Sequence, residues 1–256
     1  MTEALARSGE RRRAALVTGG AKRIGRAICL ELAAAGFDLA IHHRDSGEDA
    51  ARLADEIRAM GRRAVCLSAD LADADATGAL IGRAVEALGP VAVLVNNASV
   101  FADDRLDSLT GESWSSHMDV NLRAPVMLAQ AFAAQAPDGS AIINILDQRV
   151  LKPDPRFFSY GLSKSALWVA TRTMAQALAP RIRVNGVGPG PTLPSVHQAA
   201  GEFEAEARAT LLQRAGSPEA VAQAVLWLVD AGQVTGQMIA VDGGQHLAWQ
   251  TPDIVE

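Results

Sequence analysis

Short apolar runs alternate with longer amphipathic segments along the chain, and this alternation limits the folds that the sequence can adopt. The apolar runs are predicted as buried strands at 14–18, 38–42, 64–67, 91–95, 141–145, 182–185 and 237–241. The segments between them are predicted as helices at about 24–35, 48–60, 75–88, 112–135 and 160–178, with a further helix that opens at Ser217. Strands that alternate with helices in this way form a parallel sheet covered by helices on both faces.

The predicted architecture is therefore α/β, a single-domain Rossmann-type three-layer sandwich with a seven-stranded parallel sheet. One domain is predicted over 1–256 because no linker rich in proline, glycine or serine divides the chain. Residues 1–12 are predicted to form a flexible arm. The stretch at about 190–213 has little periodicity and follows a strand's carboxyl end, where ligands of such sheets bind. We expect a substrate loop there, and a passive connector is the alternative.

Charge and cysteine content exclude several classes of function. The formal net charge of −5 gives no electrostatic reason to expect a nucleic-acid or membrane partner. No apolar run approaches the roughly 20 residues of a membrane span, and the N-terminus lacks a secretory pattern. The two cysteines, Cys29 and Cys66, cannot build a disulfide framework, and no Cys/His cluster has metal-ligand spacing. We expect a cytoplasmic protein without a metal site.

The turn after the first predicted strand has the composition of a phosphate-binding loop. Residues 18–25 read Thr-Gly-Gly-Ala-Lys-Arg-Ile-Gly and lead into the first predicted helix. Glycine lets the backbone approach a pyrophosphate, and the helix N-terminus supplies amide donors and partial positive charge. The residues expected to contact a dinucleotide here are Gly19, Lys22, Arg23, Ile24 and Gly25. An ordinary strand-to-helix turn is the alternative.

The end of the second predicted strand distinguishes the two nicotinamide dinucleotides. Domains that bind NAD carry an acidic residue there, which hydrogen-bonds the ribose hydroxyl. This chain carries His42, His43, Arg44, Asp45 and Ser46. Histidine and arginine suit a 2′-phosphate, so NADP(H) is predicted rather than NAD(H), with His43, Arg44 and Ser46 as contacts. Asp45 keeps the alternative open, because a carboxylate can accept hydrogen bonds from a 2′-hydroxyl.

Two further strand ends carry residues that we expect beside the cofactor. Asp70 and Leu71 follow the third predicted strand and are placed to line an adenine pocket, although Asp70 could instead cap the next helix. Asn97 and Ala98 follow the fourth predicted strand, beside any nicotinamide. Both predictions rest on the convergence of parallel strand ends at one edge of the sheet.

The sole tyrosine, Tyr160, precedes Lys164 by four residues, and Lys164 is one of three lysines in the chain. At that spacing both side chains lie on one face of a helix. A nearby ammonium stabilises tyrosinate, so we expect Lys164 to lower the pKa of Tyr160 and tune it as a general acid for hydride transfer. A pair on the helix surface without a catalytic role is the alternative.

Asn121 lies inside the helix predicted at 112–135, in the segment Asp-Val-Asn-Leu. A buried asparagine there could bridge water and backbone in a proton relay. Taken alone, a buried asparagine in a helix is more often structural, and its role depends on the neighbouring motifs.

Together these motifs resemble the short-chain dehydrogenase/reductase family over nearly the whole chain. The resemblance also includes Asn-Gly-Val-Gly-Pro-Gly at 185–190 and Val-Asp-Gly-Gly at 241–244. It implies that Tyr160 is the general acid, that Lys164 holds the nicotinamide ribose, and that Asn121 orders a relay water. It also implies cofactor contacts at Pro189 and Gly190.

Two positions depart from the usual pattern of that family. Arg23 stands where glycine is usual, and Asp147 stands where a catalytic serine is usual, thirteen residues before Tyr160. A serine hydroxyl suits a ketone oxygen. A carboxylate instead accepts hydrogen bonds from amino and ring N–H groups, or shuttles a proton.

Both departures resemble the pteridine reductases, which carry Ala-Lys-Arg in the glycine turn and aspartate for serine. Phe101 matches the aromatic that those enzymes carry after Asn-Asn-Ala, and the resemblance implies that it stacks on a pterin. It also implies substrate or cofactor contacts for Ser99 and Arg23. The alternatives are that Phe101 anchors the loop in the core, and that Asp147 marks loss of the serine in a different reductase.

The predicted function is NADPH-dependent reduction of a pterin or dihydrofolate-like ring by hydride transfer to a C=N bond. The first alternative is a carbonyl reductase of the same family, acting on a ketone or 3-oxoacyl thioester. The second is a non-catalytic dinucleotide-binding sensor, which the Tyr160, Lys164 and Asn121 set disfavours. The expected partner is a small-molecule substrate. Alanine-rich helices at about 112–135 and 158–178 suggest close packing between subunits, and the resemblance implies a homotetramer.

Overall fold

Seven parallel strands form one sheet in the computed structural model, which describes residues 13–194 and 201–250. The strands are β1 Arg13–Val17, β2 Phe37–His43, β3 Ala64–Ser68, β4 Val91–Asn96, β5 Ser140–Ile145, β6 Ile182–Pro189 and β7 Met238–Val241. Their spatial order is β3-β2-β1-β4-β5-β6-β7, and each neighbouring pair is parallel. The chain places β2 and then β3 on one side of β1, and then places β4 to β7 on its other side, so β2 and β4 flank β1. The predicted fold class is confirmed.

Helices cover both faces of the sheet. They are α1 Arg23–Ala34, α2 Gly47–Ala59, α3 Ala74–Leu88, α4 Gly111–Met118, α5 Ala124–Gln135, α6 Phe158–Leu178, α7 Glu202–Arg208 and α8 Pro218–Asp230. One core cluster joins α1, α2 and α8 to the sheet, and a second joins α3, α5 and α6 to its other face. Successive β1 residues alternate between them: Ala15 and Val17 pack into the first cluster, Ala14 and Leu16 into the second.

The single helix predicted at 112–135 is instead divided into α4 and α5. The residues between them, Asp119–Arg123, form a π-helical turn. Pro125 gives the reason, because proline has no N–H for the Asn121 carbonyl and its ring crowds that carbonyl. The Ala124 N–H donates instead to the carbonyl of the fifth residue back. Asn121 lies in this wider turn and is fully buried, and π-helical turns of this kind are frequent at functional sites.

The stretch predicted as a substrate loop, about 190–213, contains the short helix α7. Its described parts are tied to the C-terminal segment: the Leu212 N–H donates to the Gly243 carbonyl at 3.0 Å, and the Gly190 N–H to the Val241 carbonyl at 3.1 Å. Residues 195–200 of this stretch lie outside the described residues, as does the arm predicted at 1–12.

The turn between β1 and α1 leaves no room for side chains at two glycines. Gly19 has a φ of +59°, a left-handed conformation that glycine adopts without strain. A Cβ on Gly25 would lie 2.2 Å from the Gly19 carbonyl oxygen. The Asn97 Nδ2 donates to the carbonyl oxygens of Thr18 and Gly19 at 2.9 and 3.0 Å. Backbone contact and these hydrogen bonds hold the turn against the end of β4.

We expect Gly25→Ala to lower the free energy of unfolding by about 2 kcal/mol, because overpacking by a methyl group costs roughly 1–3 kcal/mol. Gly78→Ala in α3 is the matched control, since a Cβ there meets nothing within 4 Å. That control should raise stability by roughly 0.5–1 kcal/mol. Urea denaturation measures both, and a Gly25→Ala protein as stable as wild type would contradict the packing.

Candidate active site

A cavity of about 1100 Å³ opens at the edge of the sheet where β1, β4, β5 and β6 end. Many of the predicted site residues line it: Arg23, Ile24, Asn97, Ser99, Phe101, Asp147, Tyr160, Lys164, Pro189 and Gly190. Helix α7 contributes Glu202 and Glu206 to the lining of the same cavity. The structure therefore brings the predicted nicotinamide and substrate contacts into one space.

Tyr160, Lys164 and Asp147 form the polar centre of this cavity. The Tyr160 hydroxyl donates to the Asp147 carboxylate at 2.8 Å. Lys164 lies one helical turn beyond Tyr160 on α6, and its Nζ donates to the Ile145 carbonyl at 2.8 Å. All three side chains are buried. The phenol is thus a hydrogen-bond donor and the carboxylate an acceptor, side by side.

Burial shifts the pKa of both α6 groups, and for the tyrosine the shift is opposite to the prediction. Burial and then the adjacent Asp147 charge raise the pKa of Tyr160 well above its ordinary value. Burial lowers the pKa of Lys164 to about 8, and the Asp147 charge opposes that shift. The prediction that Lys164 lowers the pKa of Tyr160 is therefore wrong here, because burial and the adjacent Asp147 charge both raise that pKa. Tyr160 keeps its proton at neutral pH.

Arg149 is a residue of this site that sequence reasoning missed. Its backbone N–H donates to Asp147 Oδ1 at 2.8 Å, and its Nη1 lies 3.3 Å from Asp147 Oδ2. Its Nη2 lies 3.7 Å from Glu206 on α7, which also accepts a hydrogen bond from Gln245 at 2.9 Å. An ion-pair chain thus joins the Asp147 carboxylate to the predicted substrate loop. An arginine two residues after Asp147 carries no sequence signal of such a role.

The aromatic residues beside Tyr160 form a cluster. The Phe101 ring stacks on Phe157, with centroids 4.4 Å apart, and meets the Tyr160 ring edge-on at 4.8 Å. The Arg149 guanidinium lies 5.6 Å from the Phe157 centroid. Phe157 was not predicted, although an aromatic residue just before the Tyr160 helix is a usable signal. Both phenylalanines line the cavity, so a flat ring has an aromatic surface to contact there.

Asn121 fixes the loop that carries Ser99 and Phe101. Its Oδ1 accepts from the Val100 N–H at 2.8 Å, and its Nδ2 donates to the Val100 carbonyl at 3.0 Å. Ser99 Oγ donates to the same Oδ1 at 3.2 Å, and Nδ2 also donates to Ser163 Oγ at 3.1 Å. The side chain thus bridges the loop to α6 by direct hydrogen bonds, while the predicted water relay stays a prediction.

Arg23 has a backbone conformation that explains why glycine suits its position. Its φ is +52°, in the left-handed region that side chains rarely adopt. Its guanidinium donates to the carbonyl oxygens of Leu193 and Pro194, at 3.4 and 3.1 Å. Arg23 therefore joins the glycine turn between β1 and α1 to the start of the predicted substrate loop.

His42 does not have the phosphate-binding role suggested by its position. Its Nδ1 accepts from the Gly19 N–H at 3.0 Å, and its Nε2 lies 3.1 Å from the Ala69 carbonyl. Burial lowers the pKa of His42 to about 4, so the ring is neutral and Nε2 is the donor. The histidine ties the glycine turn to the end of β3. These bonds engage both ring nitrogens of His42, and His43 stays the predicted contact with a 2′-phosphate.

The other predicted contacts for the adenosine half lie next to this turn but outside the large cavity. Arg44 donates to Asp45 at 2.6 Å, and both residues are exposed just after β2. Lys22, at the start of α1, pairs with the half-buried Asp49 in the first turn of α2 at 2.7 Å. The His43 Nδ1 is buried without a hydrogen-bond partner. A buried polar atom of this kind normally has a partner, which a ligand phosphate or hydroxyl would supply.

Several other residues assigned to the cofactor have structural contacts. Asp70 Oδ1 accepts from the Ala72 N–H at 2.9 Å, so its carboxylate closes a turn before α3, whose cap is Asp73. Leu71 is buried. The Ala98 N–H donates to Thr18 Oγ1 at 3.0 Å. Ser46 begins α2 without a side-chain capping bond. Their contacts with a cofactor stay predictions.

Residues 13–194 and 201–250 contain neither a membrane-spanning helix nor a cluster of metal ligands. No helix there has both the length and the apolar character needed to cross a bilayer. Groups of three or more His, Cys, Asp or Glu side chains that could hold a metal ion are also absent from these residues.

Comparison with known proteins identifies the family. Residues 19–246 match the sequence profile described as enoyl-(acyl carrier protein) reductase. The short-chain dehydrogenase/reductase FrzI from a Cladobotryum species is 33% identical over 245 residues, covering 91% of this chain and 95% of that protein. The chain belongs to the short-chain dehydrogenase/reductase family. The resemblance to that family is confirmed.

Members of the short-chain dehydrogenase/reductase family with different substrates are similar to this chain. The crystal structure of FolM alternative dihydrofolate reductase 1 from Brucella canis, complexed with NADP, has a TM-score of 0.91 and 46% identity, covering 95% of this chain and 97% of that one. The 3-oxoacyl-[acyl-carrier-protein] reductase FabG from Staphylococcus aureus is 33% identical over 242 residues, covering 92% and 98% respectively. The comparisons identify the family but do not identify the substrate, which is inferred from the residues of the site.

The His42 contacts predict an acid-sensitive stability. The native pKa of about 4 lies below the ordinary 6.5, so the unfolded chain binds the proton more tightly and stability falls as pH drops from about 6.5 towards 4. Between pH 7 and pH 5 the wild type should lose about 2 kcal/mol more than His42→Asn, which cannot titrate. Urea denaturation at both pH values measures this, and equal losses would contradict it.

Proposed function

We propose that this protein is an NADPH-dependent reductase of a dihydropterin or dihydrofolate-like ring, and that hydride reaches the carbon of a C=N bond. The observation that carries the proposal is the 2.8 Å hydrogen bond from Tyr160 to the Asp147 carboxylate, beside the Phe101 ring. A pterin edge presents amino and ring N–H donors, which a carboxylate accepts. Its flat ring suits an aromatic wall.

The cofactor is NADP(H), as predicted, and a solved relative with 46% identity is complexed with NADP. The tight glycine turn and the unpartnered His43 Nδ1 suit the phosphates of such a dinucleotide. We propose that Lys22, Arg44 and the glycine turn hold the phosphates, with Lys164, Asn97 and Pro189 near the nicotinamide end. When bound, NADPH supplies the hydride.

Residues of this chain donate and position the proton that accompanies the hydride. Tyr160 keeps its proton at neutral pH and presents its hydroxyl to the cavity, so it can donate that proton to the ring nitrogen, directly or through water. Asp147 accepts a hydrogen bond from the substrate and, with Arg149, orients the phenol. Lys164 places a positive charge beneath the tyrosine ring, 5.8 Å from its centroid.

A carbonyl reductase is the second candidate, and the similarity to FabG favours it. A ketone oxygen would accept from Tyr160, but the Asp147 carboxylate offers it no second donor where the usual serine hydroxyl would. A non-catalytic sensor is the third candidate, and the assembled Tyr160–Asp147–Lys164 centre disfavours it. If Tyr160→Phe leaves turnover unchanged, the catalytic proposal fails.

The first experiment follows NADPH oxidation with a 7,8-dihydropterin and with a ketone panel. We expect turnover of the dihydropterin, with a loss of about 100-fold or more in Asp147→Ser, since removal of one positioned polar group costs that much. Phe101→Ala should lose about tenfold, because an aromatic stack contributes about 0.5–1.5 kcal/mol. Phe101→Leu separates the two roles of that ring: leucine restores packing but not stacking. Ketone turnover with none of the pterin would favour the second candidate.

The pH profile gives an independent test of the site's charges. The kcat/KM for NADPH, which reports free-enzyme groups, should fall above about pH 8 as Lys164 loses its proton. Asp147 raises the pKa of Lys164, so Asp147→Asn should move this alkaline limb to lower pH. Asp103→Asn removes another cavity carboxylate and should leave the limb in place. A limb unmoved in Asp147→Asn would contradict the assigned coupling.

We also propose a homotetramer, a cytoplasmic location and a substrate-binding role for the stretch at 190–213. Exposed apolar side chains on α5 and α6 support assembly, among them Val126, Met127, Leu162 and Val169. The two cysteines cannot build a disulfide framework, which supports the proposed cytoplasmic location. The Arg149–Glu206 pair and the Arg23 bonds to Leu193 and Pro194 support the loop's role. Light scattering measures the assembly, and a monomer would contradict it.

A further inference from the structure

A chain of hydrogen bonds runs beside the catalytic centre and has no role in the proton transfer proposed for Tyr160 and Asp147. His117 Nε2 accepts from the Ala102 N–H at 3.2 Å. The hydrogen of the neutral ring is therefore on Nδ1, which donates to Ser159 Oγ at 2.6 Å. Ser159 Oγ in turn donates to Asp104 Oδ2, and the Ser159 N–H donates to Asp104 Oδ1 at 3.0 Å. All three side chains are buried.

The direction of these bonds excludes a nucleophilic role for Ser159. In a hydrolytic triad the serine donates to the histidine and the histidine to the carboxylate. Here the serine donates to the carboxylate, and its hydroxyl is wholly buried. Burial lowers the pKa of His117, consistent with a neutral ring. The chain of bonds therefore holds backbone in place.

The segments that these bonds join carry the two rings of the site. Ala102 follows Phe101 in the loop after β4, and Ser159 precedes Tyr160 at the start of α6. The Phe158 N–H also donates to the Asp104 carbonyl at 2.9 Å, which adds a backbone bond between the same segments. The His117 ring centroid lies 6.0 Å from that of Tyr160.

We propose that His117, Ser159 and Asp104 are positioning residues that set the separation between the Phe101 ring and the Tyr160 hydroxyl. This inference rests on the proposed function for the roles of those two rings. His117 connects to the loop through Nε2 and to α6 through Nδ1. The two connections can therefore be removed one at a time.

Two amide variants separate the contact made by the Nδ1 of His117 from the contact made by its Nε2. In His117→Asn the amide lies near the Nδ1 position, so it keeps the bond to Ser159 and releases Ala102. In His117→Gln the amide reaches the Nε2 position, so it keeps Ala102 and releases Ser159. We expect His117→Asn to raise the acceptor KM about tenfold, and His117→Gln to lower kcat about tenfold, since a displacement of about 1 Å costs up to 100-fold.

The dissociation constant for NADPH should stay within about twofold in both variants, since the bonds lie away from the glycine turn. Equal effects of both variants on KM and kcat, or no effect of either, would overturn the proposal. Each acceptor that the wild type reduces, dihydropterin or ketone, is tested. If the pterin assignment is wrong, the wild type does not reduce the dihydropterin. If the positioning role is wrong, the two variants do not differ in whether they change KM or kcat.

Nitrogen NMR of histidine-labelled wild type gives a readout that needs no substrate. His117 should show a proton on Nδ1 and none on Nε2, and should not titrate between about pH 6 and 8. Its signals are assigned in the wild type by nuclear Overhauser effects between its ring and the ring of Tyr160, the sole tyrosine, whose centroid lies 6.0 Å away. A proton on Nε2, or titration in that range, would overturn the proposed bonds even if neither variant folds.

Discussion

All strands of the sheet run in the same direction, so their carboxyl ends meet at one edge, and the arrangement of the site depends on that constraint. The glycine turn after β1, the Asn97 loop after β4 and Asp147 after β5 are far apart in sequence and adjacent in space. Side-chain hydrogen bonds to backbone hold the glycine turn in place. The Asn97 Nδ2 donates to the carbonyl oxygens of Thr18 and Gly19, and the His42 ring ties the same turn to the end of β3.

Within this frame, the Asp147 carboxylate changes what the Tyr160 hydroxyl can do. Burial and the adjacent charge raise the pKa of the phenol, so Tyr160 is protonated at neutral pH and is a weaker acid than a free tyrosine. The Arg149 guanidinium lies between Asp147 and Glu206, so a shift of α7 would alter the charge around the carboxylate. The Tyr160 hydroxyl, the Asp147 carboxylate and α7 are therefore connected by one chain of ion pairs and hydrogen bonds.

The sequence was most informative where physical constraints are local. Alternating apolar runs predicted the strand order along the chain, and the rarity and spacing of Tyr160 and Lys164 located the centre of the site. The π-helical turn at Asn121 was missed, although Pro125 carried its signal. The roles of His42 and Arg149 could not be read from the sequence, because their partners are brought together by packing and loop conformation.

The central claim is that hydride passes to a C=N carbon of a pterin ring in the cavity formed by Asp147, Tyr160 and Phe101. It is tested most directly with NADPH that carries deuterium at the transferred position, followed by mass spectrometry and NMR of the product. We expect one deuterium on the carbon of the former C=N bond, and none when Tyr160→Phe abolishes turnover. A pterin without deuterium, with label found instead in the alcohol formed from a ketone, would contradict it.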